Sequence, residues 1–204
     1  MKVLVSDLDG TLLHVPVNWS EVKEALSKAL KSEVSSIFEA LRGARSRDEG
    51  LYKELSKLVE EYEVRSMKEL KELRGSRELL KRLRDCGVKV AVVTLQSERS
   101  LKEALEVSGL APYVDVYVTR DEELDRARQI KIALQRLGAE IGRDAIVFMG
   151  DRLSDLDAGR RLGIPTIIIG STVPDPLRAI SVIAEVLGLP LGKGLISEGS
   201  LCPS

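Results

Sequence analysis

Five short apolar runs, separated by helical patterns, limit what this chain can fold into. They span residues 3–5, 88–94, 114–119, 145–150 and 166–170. Each is rich in Val or Ile and short enough for a strand. Continuous apolar runs, rather than alternating ones, mark strands covered on both faces, as in parallel sheets. Helical patterns over 76–86, 98–108, 125–137, 154–162 and 175–187 lie between and after them. Gly87, Gly109, Gly138 and Gly163 follow four of these helices as stops. The alternation predicts an α/β fold with a doubly wound parallel sheet.

The alternation lapses between the first and second strands. Residues 15–73 contain no strand-like run and read as helices over 20–31, 32–41, 48–62 and 66–73, with a basic loop at 42–48. Ser66-Met67-Lys68-Glu69 fits a capping box. A crossover between parallel strands needs only one helix. The surplus therefore predicts an inserted, all-helical cap at 15–73, a core at 1–14 and 74–189, and a poorly ordered tail at 190–204. A length of 204 residues with 44% hydrophobic content supports one core and a small accessory unit.

Composition removes several classes of function. A net charge of −1 gives no general attraction to nucleic acid or an anionic membrane. No apolar run approaches the roughly 18 residues of a membrane helix. Strand-like sequence begins directly after Met1-Lys2, so a cytoplasmic protein is expected. Cys86 and Cys202 read as reduced thiols. With His14 as the lone histidine they supply neither a zinc site nor a histidine-based triad. Asn18 is the single asparagine and 31% of residues are charged, a balance that points to a thermophile.

Function in an open α/β sheet sits beyond the carboxyl ends of the strands. Three such ends carry polar groups here: Asp7 with Asp9, Thr94, and Gly150-Asp151. An Asp-x-Asp alone is most often a turn or helix cap. Acids and a hydroxyl converging from three strand ends are better explained by chemistry. An Asp carboxylate can attack phosphorus, a second can act as acid and base, and a hydroxyl can bind phosphoryl oxygens. Gly10 allows close approach of the backbone to phosphate. Crowded carboxylates need a cation, and Mg²⁺ suits hard oxygen ligands.

Asp7-Leu8-Asp9-Gly10-Thr11-Leu12, Val92-Val93-Thr94 and Gly150-Asp151-Arg152-Leu153-Ser154-Asp155 resemble motifs I, II and IV of the haloacid dehalogenase-like (HAD) superfamily. The resemblance covers nearly the whole chain. It implies a Rossmannoid core with a C1 cap, of the phosphoglycolate phosphatase and β-phosphoglucomutase branch. It implies Asp7 as nucleophile and Asp9 as acid/base. Asp7, the Asp9 carbonyl and Asp151 would hold Mg²⁺, with Asp155 in support. Thr94 and Leu95 would bind phosphate beside Gly10. An Asp at position 9 points to phosphoryl transfer, because true dehalogenases lack it.

Motif III departs from the family pattern. Its Lys-Pro pair is absent from Leu124-Asp125-Arg126-Ala127-Arg128-Gln129-Ile130-Lys131. Spacing from the helix start selects Arg126 for the phosphate-neutralising cation, with Arg128 and Lys131 as alternatives. Arg42 and Arg45 resemble the substrate-specificity loop of the cap. Trp19 reads as a packing anchor for the cap. The expected function is Mg²⁺-dependent hydrolysis of a small phosphorylated metabolite, phosphoglycolate being the branch's suggestion, by a monomer or homodimer. A phosphomutase and a non-enzymatic phosphate-responsive module are the alternatives.

Overall fold

The computed structural model describes residues 1–190. Its strands are β1 (Lys2–Ser6), β2 (Leu13–His14), β3 (Lys71–Glu72), β4 (Lys89–Val93), β5 (Val116–Val118), β6 (Ala145–Gly150) and β7 (Thr166–Ile168). Its helices are α1 (Trp19–Leu30), α2 (Ile37–Arg47), α3 (Glu49–Ser66), α4 (Ser76–Asp85), α5 (Glu98–Val107), α6 (Arg126–Leu137), α7 (Leu153–Leu162) and α8 (Pro176–Val186).

Five strands form one parallel sheet in the order β5-β4-β1-β6-β7. Val3, Leu4 and Val5 of β1 and Val90 to Val93 of β4 are buried, as strands between helical layers must be. From β1 the chain leaves towards β4 and β5, and from β6 it leaves towards β7. The switch point therefore falls between β1 and β6. Register fixes what meets there. Ser6 pairs with Val92 on one side and Met149 on the other, so residues 7, 94 and 151 emerge at nearly one height.

Helices α1 to α3 lie between β1 and β4 in sequence and share the main core. Leu26, Leu41 and Leu55 join Leu12, Leu13 and the α4 leucines Leu79, Leu80 and Leu83 in one buried cluster. Two local expectations fail. Residues 42–47 continue α2 rather than forming a loop; the chain breaks at Asp48, whose Oδ1 accepts from Gly50 N at 2.7 Å and caps α3. The capping box at Ser66 does not form. Helix α3 runs through Ser66, whose hydroxyl donates back to Tyr62 O, and a short 3₁₀ turn leads into β3. There, Lys71–Glu72 pairs antiparallel with Leu13–His14, which makes a two-strand base for the insertion.

The insertion is also tied to the sheet by a buried polar seam. Arg120 and Glu63 are both fully buried, with Nη1 to Oε1 at 2.6 Å. Arg120 also donates to Ser56 Oγ (3.0 Å), Ser56 O (3.0 Å) and Leu95 O (2.9 Å). Glu63 Oε2 accepts from Ser97 N at 3.3 Å, and the Tyr52 hydroxyl donates to Arg120 O at 2.6 Å. One face of α3 is thereby bonded to the loops after β4 and β5. Cys86, expected as a reduced thiol, is disulfide-bonded. Cys202 and the tail from residue 191 lie outside the described residues.

Candidate active site

Asp7 is the first residue past β1. Its N–H still donates to Met149 O (2.8 Å), which fixes the backbone against β6. The strand ends here because residues 8–13 curl into a turn: Leu12 N and Leu13 N both donate to Leu8 O, and Gly10 N to Leu13 O. The turn carries Asp9 away from the strand direction. Asp9 Oδ1 accepts from Val15 N at 2.8 Å, leaving the carboxyl facing the same cavity as Asp7. Gly10 has φ +80°, and a Cβ there would lie 2.3 Å from Asp151 Oδ2. Its missing side chain makes room for Asp151 more directly than for a phosphate.

Asp7, Asp151 and Asp155 bring carboxylate oxygens within 4.8 Å of one another. Burial is the main reason the Asp7 carboxyl is pushed up to about 7; Arg126 opposes this, while Asp155 and Asp151 add to it. Burial also raises Asp151, with Arg152 opposing and Asp155 and Asp9 adding. Asp9 is raised by burial, offset mainly by the Val15 N–H. Asp151 Oδ1 is buried without a hydrogen-bond partner among the described residues. An orphaned carboxylate oxygen inside an all-oxygen acid cluster fits a hard divalent cation such as Mg²⁺.

Asp155 differs from the other two acids. Its Oδ1 accepts from Arg126 Nε at 2.9 Å, and its Oδ2 from Arg152 N (3.1 Å) and Asp151 N (3.3 Å). Both oxygens are therefore engaged, Oδ2 in holding the loop after β6 and Oδ1 in holding Arg126. Gly150 allows this contact, since a Cβ would meet the Asp155 side chain at 2.6 Å.

Arg126 opens α6 and reaches across the site. Its Nη2 lies 2.7 Å from Asp7 Oδ1, and its Nη1 donates to Val93 O (2.5 Å) and Gln129 Oε1 (3.0 Å). The two alternative cations take other places. Arg128 is exposed, 3.7 Å from Glu123, and Lys131 does not line the cavity. Gln129, not singled out from sequence, is fully buried; its Nε2 donates to Thr94 O and Glu123 O, both at 2.8 Å. It follows Arg126 by three residues, the spacing that puts two side chains on one helix face.

The cavity over Asp7 and Asp9 has a volume of about 30 Å³ and is also lined by Thr94, Leu95, Gln96, Arg126, Arg152, Trp19 and Phe38. Trp19 and Phe38, from α1 and α2, lie with ring centroids 6.4 Å apart. Trp19 is thus both packing anchor and cavity wall. Arg42 and Arg45 do not line the cavity. Because the segment is helical, they project onto the sheet loops: Arg42 Nη2 donates to Leu124 O (3.4 Å), and Arg45 to the carbonyls of Arg120, Asp121 and Glu122.

Sheet order, insertion point and strand-end acids place the chain among Rossmann-like α/β proteins with a helical cap. It belongs to the haloacid dehalogenase-like hydrolase family, whose pattern matches residues 4–169. It is 28% identical over 120 residues to pyrophosphatase PpaX of Halalkalibacterium halodurans, a match spanning 57% of this chain and 50% of that protein. A match to PpaX of Bacillus pumilus spans 41% of that protein, so the chain aligns with half or less of these two relatives. Phosphoglycolate phosphatase of Aquifex aeolicus is 29% identical over 203 residues, 86% of this chain and 91% of that one. A hydrolase from Pseudomonas syringae shares the fold with a TM-score of 0.69 at 22% identity, over 91% and 99% of the two chains.

Proposed function

We propose that this protein is a Mg²⁺-dependent phosphatase acting on a small phosphorylated metabolite through an aspartyl-phosphate intermediate. The observation that carries this reading is the shared cavity of Asp7, Asp9, Thr94 and Arg126, with the Asp151 and Asp155 carboxylates beside Asp7. Asp7 and Asp151 are the side chains that would hold Mg²⁺, and Asp155 would orient them. Bound Mg²⁺ would keep Asp7 ionised and offset charge on the phosphoryl oxygens.

Asp7 Oδ attacks phosphorus, and the bond from phosphorus to the ester oxygen breaks. Asp9, whose carboxyl burial favours in the protonated form, gives its proton to that oxygen. Water then attacks the acyl phosphate, Asp9 takes its proton, and inorganic phosphate leaves with Asp7 regenerated. Arg126, already 2.7 Å from Asp7, can bind phosphoryl oxygens through its fork of N–H donors. A cavity of about 30 Å³ has room for little more than water. Substrate would therefore enter with Trp19 and Phe38, which line the cavity, displaced.

The test is a panel of small phosphomonoesters assayed for released phosphate, with Mg²⁺ and with chelator. Activity is expected only with the metal, and Asp7→Asn is expected to abolish it. Normal turnover by Asp7→Asn refutes the mechanism.

A further inference from the structure

The phosphatase reading leaves one wall of the cavity unexplained. Gln96 is 4% exposed, and its Nε2 has no hydrogen-bond partner among the described residues. Buried donors are almost always paired, so an orphan in a cavity wall marks a place where something else supplies the acceptor. The rest of the residue is fixed. The Ser100 hydroxyl donates to its Oε1 (3.3 Å), its N–H donates to Thr94 Oγ1 (3.2 Å), and its carbonyl accepts from Arg120 N (3.2 Å). With the oxygen end of the amide held by Ser100, the N–H₂ end is the one left free.

What would meet it follows from its neighbours. Arg126 already serves the reacting phosphoryl group in the proposed mechanism, and Thr94 lines the same cavity with the hydroxyl that the family resemblance assigns to phosphate. Gln96 lies two residues beyond Thr94, and it lines the cavity together with Trp19 and Phe38. We propose that Gln96 is a specificity-determining residue whose amide N–H₂ donates a hydrogen bond to an oxygen acceptor on the leaving group, close to the ester oxygen. The favoured substrates are compact phosphomonoesters of oxygen-bearing alcohols, and plain alkyl phosphates are disfavoured. The amide sets the chemistry of the leaving group that is accepted. An alkyl group here would leave the buried donor unpaired, which is how a polar site rejects an apolar analogue.

This assignment rests on the phosphatase reading, and the experiment separates the two. Phosphate release is measured from 2-hydroxyethyl phosphate and n-propyl phosphate, which differ by hydroxyl for methyl, and from 2-phosphoglycolate. Each is assayed with wild type, Gln96→Met and Gln96→Asn, with folding monitored by thermal melting. The quantity read is the ratio of kcat/KM between substrates within each protein, so general losses cancel. Wild type is expected to favour the hydroxyethyl over the propyl ester about three- to tenfold, and the carboxylate ester by about ten- to a hundredfold. Both ratios should collapse towards one in the variants; should Gln96→Met fail to fold, Gln96→Asn carries the same expectation. Wild-type ratios near one, or ratios unchanged by substitution, overturn the role of Gln96 while leaving the phosphatase intact. Hydrolysis of no ester by wild type with Mg²⁺ overturns the phosphatase reading and this one with it.

Discussion

Replacing Arg120 with Met tests the seam between insertion and sheet. The wild-type pair is fully buried, with Arg120 Nη1 2.6 Å from Glu63 Oε1. Glu63 is pushed up by burial and pulled down by Arg120 and, less strongly, by the Ser97 N–H. Without Arg120, a buried carboxylate keeps only the Ser97 contact. Removing one partner of such a pair costs about 3–5 kcal/mol. For a chain of this size each kcal/mol shifts the melting temperature by about 2–4 °C, so a fall of roughly 6–20 °C is expected. The pH dependence has a definite sign. With the folded pKa raised above the unfolded one, the stability associated with neutral Glu63 is complete below the unfolded value and is lost as pH rises through the folded value. The deficit of Arg120→Met relative to wild type should therefore be large at pH 8 and smaller at pH 5. Adding Glu63→Leu removes the stranded charge and should recover most of the loss. Thermal unfolding of wild type and the two variants at both pH values, followed by circular dichroism, is the assay. A deficit below about 1 kcal/mol at pH 8 would refute the argument. So would a deficit that does not shrink on acidification, or a double variant no better than the single.

Asp7 makes a second pH prediction. In metal-free protein its carboxyl titrates near 7, above the usual carboxylate range. The associated stability is full below about 4 and is lost as pH rises through 7, so wild type should fall relative to Asp7→Asn between pH 5 and 8. Saturating Mg²⁺ should stabilise wild type more at pH 8 than at pH 5; a difference independent of both pH and metal in melting experiments would count against the site. Gln129→Met removes one acceptor from Arg126 and two donors to Thr94 and Glu123 carbonyls. We expect a loss of about 1–3 kcal/mol in stability and about tenfold in phosphate release. Gln129→Glu should not rescue it, since one carboxylate cannot donate to two carbonyls; full activity in either variant would remove Gln129 from the support of Arg126.

The sheet was legible because its strands are local. Five apolar runs specify five buried strands, and no partner need be known to find them. Strand β6 agrees with its sequence bounds, whereas β5 and β7 are shorter than their apolar runs. Asp7, Thr94 and Asp151 were legible for the same reason, since each lies directly past a strand end. What failed was local chemistry overridden at a distance. Residues 42–48 read as a loop, yet 42–47, Gly43 included, are accommodated in α2. Ser66 reads as a start, yet α3 continues through it, and the pairing of residues 71–72 with β2 replaces the helix expected there. Resemblance likewise put Arg42 and Arg45 in a substrate-specificity loop; the segment is helical and turns them onto residues 120–124.

Arg120 and Arg126 show why charge alone cannot assign a site from sequence. Both arginines lie just beyond β5, and each pairs with carboxylate. Arg120 is fully enclosed: it meets Glu63 and three oxygens from Ser56 and Leu95, and it lines no part of the cavity. Arg126 meets Asp7 and Asp155, yet it lines the cavity and stands over two carboxylates whose repulsion a cation would relieve. The first arrangement holds the insertion to the sheet. In the second, a bound phosphoryl group could compete with Asp7 for the guanidinium. The two arginines are six positions apart in sequence; the turn at 121–125 and the start of α6 at Arg126 decide which one faces the cavity.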